Sequence, residues 1–109
     1  MISWEDFEKI DIRVGTIVAV FDFPNAHKPA YQLHIDFGEL GIKKSSAQIT
    51  KLYQKEDLLH TQVIAVVNFP PKQIANFMSE CLVLGVVAEN QEVILLNPER
   101  IVKNGLKIS

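Results

Sequence analysis

Residues 11–21 constrain the fold more than any other part of this sequence. They form a run of β-branched and apolar residues, which predicts a strand of unusual length. Ile10, Ile12 and Val14 share one face of that strand, but after Gly15 apolar residues occupy both faces. A glycine at such a point allows a bulge or a sharp bend. A long first strand that bends and serves two sheets is typical of a small closed barrel.

The remaining patterns predict short strands with few helices. Ser3 is a candidate N-cap for a short helix over residues 4–9, and single helical turns are predicted at 50–53 and 56–59. Further strands are predicted at residues 31–37, 42–47, 62–69, 81–88 and 92–96, and the tail 101–108 is expected to add a last strand. Residues 70–79, which open with two prolines, are predicted to be a connecting loop.

Three strands, a short helical segment and two more strands form the chain order of the oligonucleotide/oligosaccharide-binding (OB) barrel. An SH3-like barrel would lack the helix, and an immunoglobulin-type sandwich would need about seven strands. We therefore predict an all-β fold, a five-stranded OB-fold barrel with a short helix between strands 3 and 4. The length of 109 residues fits one domain, 1–109, with a core of about 10–97. The apolar extensions 1–9 and 98–109 exceed what a barrel needs, so we expect them to form a homodimer interface.

Composition and spacing argue against several classes of function. The apolar runs are far shorter than the roughly 20 residues of a membrane-spanning helix, and the acidic start does not fit a secretory signal. The three histidines lie far apart, and no two have the spacing of metal ligands. The five glycines are isolated, so no phosphate-binding loop is predicted. Cys81 opens an apolar strand, which favours a small core residue over a nucleophile or metal ligand. We expect a cytoplasmic protein that is not an enzyme and has no metal or cofactor.

The charge is unevenly distributed along the chain. The net charge of −2 argues against non-specific binding to nucleic acid. Residues 41–79, however, hold five lysines and two acids, a net charge of +3. Chance on a small surface and a cationic binding face both remain open explanations of this basic segment.

Two stretches carry the candidate binding residues. On the third strand, alternation places Lys43 and Lys44 on opposite faces, where they serve either a ligand or the protection of a solvated edge. Apolar side chains in the connector 70–79 either cap the barrel or bind a partner. The candidate peptide- or RNA-binding residues are Lys43, Lys44, Ser46, Asn68, Phe69, Lys72, Gln73, Ile74, Asn76, Phe77, Met78 and Ser79.

Residues 7–17, 23–28 and 63–79 resemble the corresponding segments of the tRNA-binding domain family. That resemblance implies an OB fold and, for members that stand alone, a homodimer. Residues 28–31, 41–50 and 67–80 are similar to a branch of the family that is chaperone-like and related to protein export. The narrower resemblance implies a cytoplasmic homodimer that binds unfolded or precursor polypeptides and contacts the translocation ATPase SecA.

The chain departs from the general family pattern in the connector, where Asn76, Phe77 and Met78 replace a basic, glycine-containing segment. Fewer cations should weaken contacts with tRNA phosphates, and more apolar surface should favour peptides. Two hypotheses follow. The first is ATP-independent binding of unfolded or precursor polypeptides in protein export, and the second is recognition of tRNA structure through a basic face of the barrel.

Overall fold

The computed structural model describes all of residues 1–109 as a mostly β structure with two short helices. Helix α1 begins at a capping box formed by Ser3 and Asp6, and α2 lies between the third and fourth strands. The elements are α1 (Trp4–Glu8), β1 (Ile12–Asp22), β2 (Tyr31–Asp36), β3 (Ile42–Ala47), α2 (Lys55–Leu58), β4 (Gln62–Val66), β5 (Lys72–Ile74), β6 (Phe77–Ser79), β7 (Leu82–Val83), β8 (Gly85–Val87) and β9 (Val93–Leu95). None of the helices has the length and apolar content needed to cross a lipid bilayer.

The long first strand serves two partners, as its sequence predicts. The main sheet is antiparallel and runs in the order β3-β2-β1-β4-β7. The first half of β1 pairs with β4 and the second half with β2, and Thr16 has a partner in both. This arrangement confirms the predicted five-stranded, OB-like barrel, which is nearly closed.

The bulge in β1 was predicted at the wrong residue. The register of β1 against β2 shifts between Ile17 and Ala19, not at Gly15. Gly15 has a different purpose, because a Cβ atom there would lie 2.6 Å from Ile35 and 2.7 Å from Phe37. The glycine thus lets the bent strand approach the core side chains of β2.

The barrel closes between β3 and residues 79–81 through a mixture of backbone and side-chain hydrogen bonds. The Glu80 amide donates to the Lys44 carbonyl (2.7 Å), and the Lys44 amide donates to the Glu80 carboxylate (2.9 Å). The Ser46 amide donates to the Ser79 hydroxyl (3.1 Å). The Ser45 hydroxyl, inside the barrel, donates to the Cys81 carbonyl (3.0 Å). Two side chains therefore complete the edge of β3 where a neighbouring strand would otherwise pair with it.

The core lies inside this barrel. Every second residue of β2 is buried, including Leu33 and Ile35, as the period-two pattern predicts. Ile17 of β1 and Val63 of β4 fill the centre, together with Phe37, which directly follows β2. A smaller cluster of Phe23, Ala30 and Phe77 packs beneath the β5–β6 hairpin at one end of the barrel.

The connector and the fifth strand differ from prediction. Residues 72–79 form the β5–β6 hairpin instead of a loop, and Ala75 makes the turn with a φ of 52°. The predicted strand 81–88 is divided at Leu84, so that β7 remains with β4 while β8 pairs with β9. Of the two predicted helical turns, only the second forms a helix, α2.

The C-terminal tail attaches to the start of β1. The tail pairs with the free edge of β1, where the Ile108 amide donates to the Ile12 carbonyl (2.9 Å). The buried side chain of Gln62 binds both the amide and the carbonyl of Val102, which holds the tail against β4. The tail is therefore part of the folded unit, but it joins β1 through a single bridge between Arg13 and Lys107 and does not form the predicted strand. Helix α1 has no buried residue.

Candidate functional site

A depression of about 350 Å³ opens where the barrel closes. One wall is the β5–β6 hairpin, and the other is formed by the end of β3 and the start of β7. Its apolar surface comes from the segment after β4 and from β7, and its polar groups are a carboxylate, an ammonium and two hydroxyls. The lining residues are Ser46, Phe69, Pro70, Lys72, Ile74, Ser79, Glu80, Cys81 and Leu82.

The hairpin sorts the predicted site residues onto two faces. In a strand, successive side chains point to opposite sides. Lys72, Ile74 and Ser79 face the depression. Gln73 and Met78 are a cross-strand pair on the other face, where both are exposed. The structure therefore brings five of the predicted residues together, Ser46, Phe69, Lys72, Ile74 and Ser79, and separates them from Gln73 and Met78.

Phe77 supports the site from below. Its side chain is only 8% exposed and its ring lies 5.4 Å, centroid to centroid, from that of Phe23. The ammonium of Lys44 sits 5.3 Å from the centroid of the Phe77 ring, a cation–π geometry. Phe77 therefore anchors the hairpin and positions Lys44, while a ligand would meet the neighbouring residues.

Asn68 and Asn76 lie apart from the depression. The Asn68 side chain accepts a hydrogen bond from the Asp11 amide (2.9 Å) and donates one to the Lys9 carbonyl (2.8 Å). The carbonyl and the NH2 of the Asn68 side chain are therefore both used to bond the segment before β1 to the segment after β4. Asn76 is exposed in the hairpin turn.

The lysines of the basic segment are almost all free of ion pairs. The chain has four ion pairs, and of these lysines only Lys55 takes part in one, with Asp22. The hydrogen bond and charge of Asp22 raise the pKa of Lys55. Lys43, Lys44 and Lys72 have no carboxylate within 4.0 Å of the ammonium nitrogen. Of the three, only Lys72 lines the depression, so its charge is available to a ligand there.

Cys81 forms part of the floor of the depression, in surroundings that disfavour the thiolate. The residue is buried, and burial raises the pKa of its thiol to about 11. A thiol with such a pKa is protonated near neutral pH, which removes the nucleophilic thiolate. No three His, Cys, Asp or Glu side chains are grouped in a way that could hold a metal ion.

Four lining residues were not among the predicted site residues. Glu80 and Leu82 reach the depression because residues 79–81 close the barrel beside β3. Pro70 follows Phe69 along the wall, and Cys81 was assigned to the core, where it also belongs. No local pattern in the sequence marks Glu80 and Leu82, because they reach the depression only through the closure of the barrel beside β3.

Comparison with known proteins places these observations in a family. The family model described as "Putative tRNA binding domain" matches residues 12–107. The chaperone CsaA from Bacillus anthracis is 55% identical, with a TM-score of 0.96 over 100% of this chain and 99% of its own. The chaperone CsaA from Picrophilus torridus is 56% identical, with a TM-score of 0.94 over the whole of both chains. The methionine–tRNA ligase of Thermococcus onnurineus is 37% identical over 98% of this chain, which spans only 14% of the ligase.

Proposed function

The chain belongs to the tRNA-binding domain family, and from that premise we propose that it is a chaperone-like protein which binds unfolded or precursor polypeptides without ATP. The observation that carries the proposal is the apolar depression beside the β5–β6 hairpin. Phe69 is 54% exposed there and Leu82 is 48% exposed, so a ligand can bury both. Two relatives of more than half identity are named chaperones, which supports the same conclusion.

The chemistry of the depression suits an extended polypeptide. Apolar walls recognise hydrophobic side chains without regard to sequence, as a protein that binds many clients requires. The hydroxyls of Ser46 and Ser79 and the ammonium of Lys72 lie within the same lining and can meet peptide groups of the bound chain. Such binding needs no energy source, because release follows when the client folds or is transferred.

The test compares Phe69→Ala with Phe21→Ala, a matched control. Phe21 is 48% exposed and lies on β1, outside the depression. Burying roughly 60 Å² of the Phe69 ring at about 25 cal/mol per Å² contributes about 1.5 kcal/mol. We expect Phe69→Ala to weaken binding of a labelled unfolded polypeptide about ten-fold and Phe21→Ala to leave it unchanged. Equal affinities for both variants would contradict the proposal.

A second candidate function is binding of tRNA, which the family match and the unpaired lysines favour. Each lysine that neutralises a phosphate contributes about one unit to the slope of log affinity against log salt. If Lys43 and Lys44 both contact tRNA, the double variant Lys43→Ala plus Lys44→Ala should reduce that slope by about two. An unchanged slope would exclude both lysines from a tRNA interface.

The proposal includes a homodimer in the cytoplasm that contacts SecA, as the resemblance implies. Exposed apolar side chains support the dimer, since Trp4, Val87 and Ile101 are each 80% exposed or more. Sedimentation of the native chain and of Val87→Asp tests it, because a charge at a dimer interface should produce monomers. Co-sedimentation with SecA, with and without a precursor polypeptide, tests the contact with the ATPase.

A further inference from the structure

Two more depressions continue from the apolar one. The second, of about 240 Å³, shares Ser46 and Ile74 with the first. The third, of about 290 Å³, shares Lys28 and Gln48 with the second. Because each neighbouring pair has common lining residues, the three depressions lie side by side in a row, which we call the groove. It follows the chain from the end of β3 to residue 51.

The chemistry changes along this groove. At one end, Phe69, Pro70, Ile74 and Leu82 make an apolar wall. The other end has two ammonium groups, two side-chain amides, a hydroxyl and a proline ring. Its lining residues are Lys28, Pro29, Gln48, Thr50, Lys51 and Gln91. A ligand that fills the whole groove therefore meets an apolar surface first and cationic donors second.

The cationic end has a defined shape and unpaired charge. Lys51 donates a hydrogen bond to the carbonyl of Asn90, which holds the turn 89–91 as the outer wall. Lys28 makes no such bond to the protein, and neither lysine pairs with a carboxylate. Two ammonium groups without counter-charges favour a ligand that brings carboxylates.

We infer that the groove binds an extended polypeptide segment with an apolar side chain at the hairpin end and acidic side chains at the Lys28–Lys51 end. This inference rests on the proposed polypeptide binding and specifies its clients. A polypeptide fits better than RNA, because RNA carries a phosphate at every nucleotide and would bring one close to the Glu80 carboxylate in the apolar wall. A polypeptide can place its carboxylates at the Lys28–Lys51 end alone. Ser46 lines the apolar depression and Thr50 lines the cationic one, so the test peptides carry their apolar and acidic pairs four residues apart, as these two positions are.

The experiment uses unstructured labelled peptides with a Leu-Phe pair and, four residues away, either two glutamates or two lysines. Both orders of the two pairs are made, since the groove can be entered in either direction. Binding to the native protein is compared with Lys28→Gln plus Lys51→Gln and with Lys103→Gln plus Lys107→Gln. The control pair lies in the tail and removes the same charge.

We expect the glutamate peptide, in one order, to bind the native protein five- to ten-fold more tightly than the lysine peptide. Lys28→Gln plus Lys51→Gln should abolish that preference, and the tail variant should retain it. Equal binding of both peptides, with Phe69→Ala still weakening each, would overturn this inference and leave the proposed function standing. Binding of neither peptide would count against the proposed function itself. The Lys28→Gln plus Lys51→Gln variant is also tested with an RNA oligonucleotide. If it loses affinity for the RNA but not for either peptide, this end of the groove binds RNA and the inference is overturned.

Discussion

Removing the Glu80 carboxylate should weaken the hydrogen bonding between β3 and residues 79–81 that closes the barrel. In Glu80→Ala the Lys44 amide loses its acceptor at 2.9 Å, while the backbone bond from the Glu80 amide to the Lys44 carbonyl can remain. A hydrogen bond to a charged group contributes about 1.5–3 kcal/mol, and the partial exposure of Glu80 reduces this to about 1–2 kcal/mol. Glu80→Gln keeps a carbonyl acceptor, so it should cost less than about 1 kcal/mol.

Urea and thermal unfolding of the native protein and the two variants measure this difference. For a chain of this size, a loss of about 1.5 kcal/mol lowers the melting temperature by roughly 6 °C. Amide hydrogen exchange locates the effect. We expect faster exchange at the Lys44 amide in Glu80→Ala and near-native protection in Glu80→Gln. The Ser46 amide, which donates to Ser79, is the internal reference.

Unchanged protection of the Lys44 amide in Glu80→Ala would refute the reasoning, because the carboxylate would then not satisfy that donor. Equal stability of the alanine and glutamine variants would do the same. The variants also bear on the groove, since Glu80 lines its apolar end. Either substitution should strengthen binding of acidic peptides modestly, because a repulsive charge is removed.

Three further outcomes are expected. Gly15→Ala should lower the free energy of unfolding in urea by about 2–3 kcal/mol, because the new Cβ would lie 2.6 Å from Ile35; a smaller loss would mean that β1 can move outward. Ala75→Gly should raise the free energy of unfolding in urea by up to about 0.5 kcal/mol, since Ala75 has a φ of 52° and glycine adopts this conformation without a Cβ clash. Iodoacetamide should modify Cys81 slowly at pH 8, where a pKa of about 11 leaves roughly one thiol in a thousand ionised. The rate should rise about ten-fold per pH unit up to pH 10, and a plateau below pH 9 would contradict this.

The second strand could be predicted most directly, because it has one buried face. In β2 the alternation of apolar and polar residues is read directly from the sequence, and the burial pattern repeats it. The hairpin could not be predicted in the same way. Its turn residue is Ala75, which adopts a positive φ without being a glycine or asparagine. Two prolines just before β5 also suggest a loop, since proline cannot donate to a sheet ladder.

The sequence indicates several residues of the candidate site but not how they are arranged in space. Once residues 72–79 are treated as a loop, nothing separates Ile74 from Met78, yet the hairpin puts them on opposite faces. Asn68 shows a second difficulty. A polar residue beside an exposed phenylalanine suggests a ligand contact, but its partners are backbone groups of Asp11 and Lys9, 57 and 59 residues away in the chain. Such long-range pairing leaves no local pattern.

The pairing of the tail with β1 affects the order in which the protein can mature on the ribosome. The Arg13 side chain donates a hydrogen bond to the Gly105 carbonyl (3.0 Å), 92 residues away in the chain. The Val14 amide donates to the Leu106 carbonyl, so it has no acceptor until the tail has been synthesised. A nascent chain that already holds β1 to β4 still has an open strand edge there. Such edges invite pairing with other chains. The edge of β1 is therefore covered only after residue 108 has been made, and until then it is open to pairing with other chains.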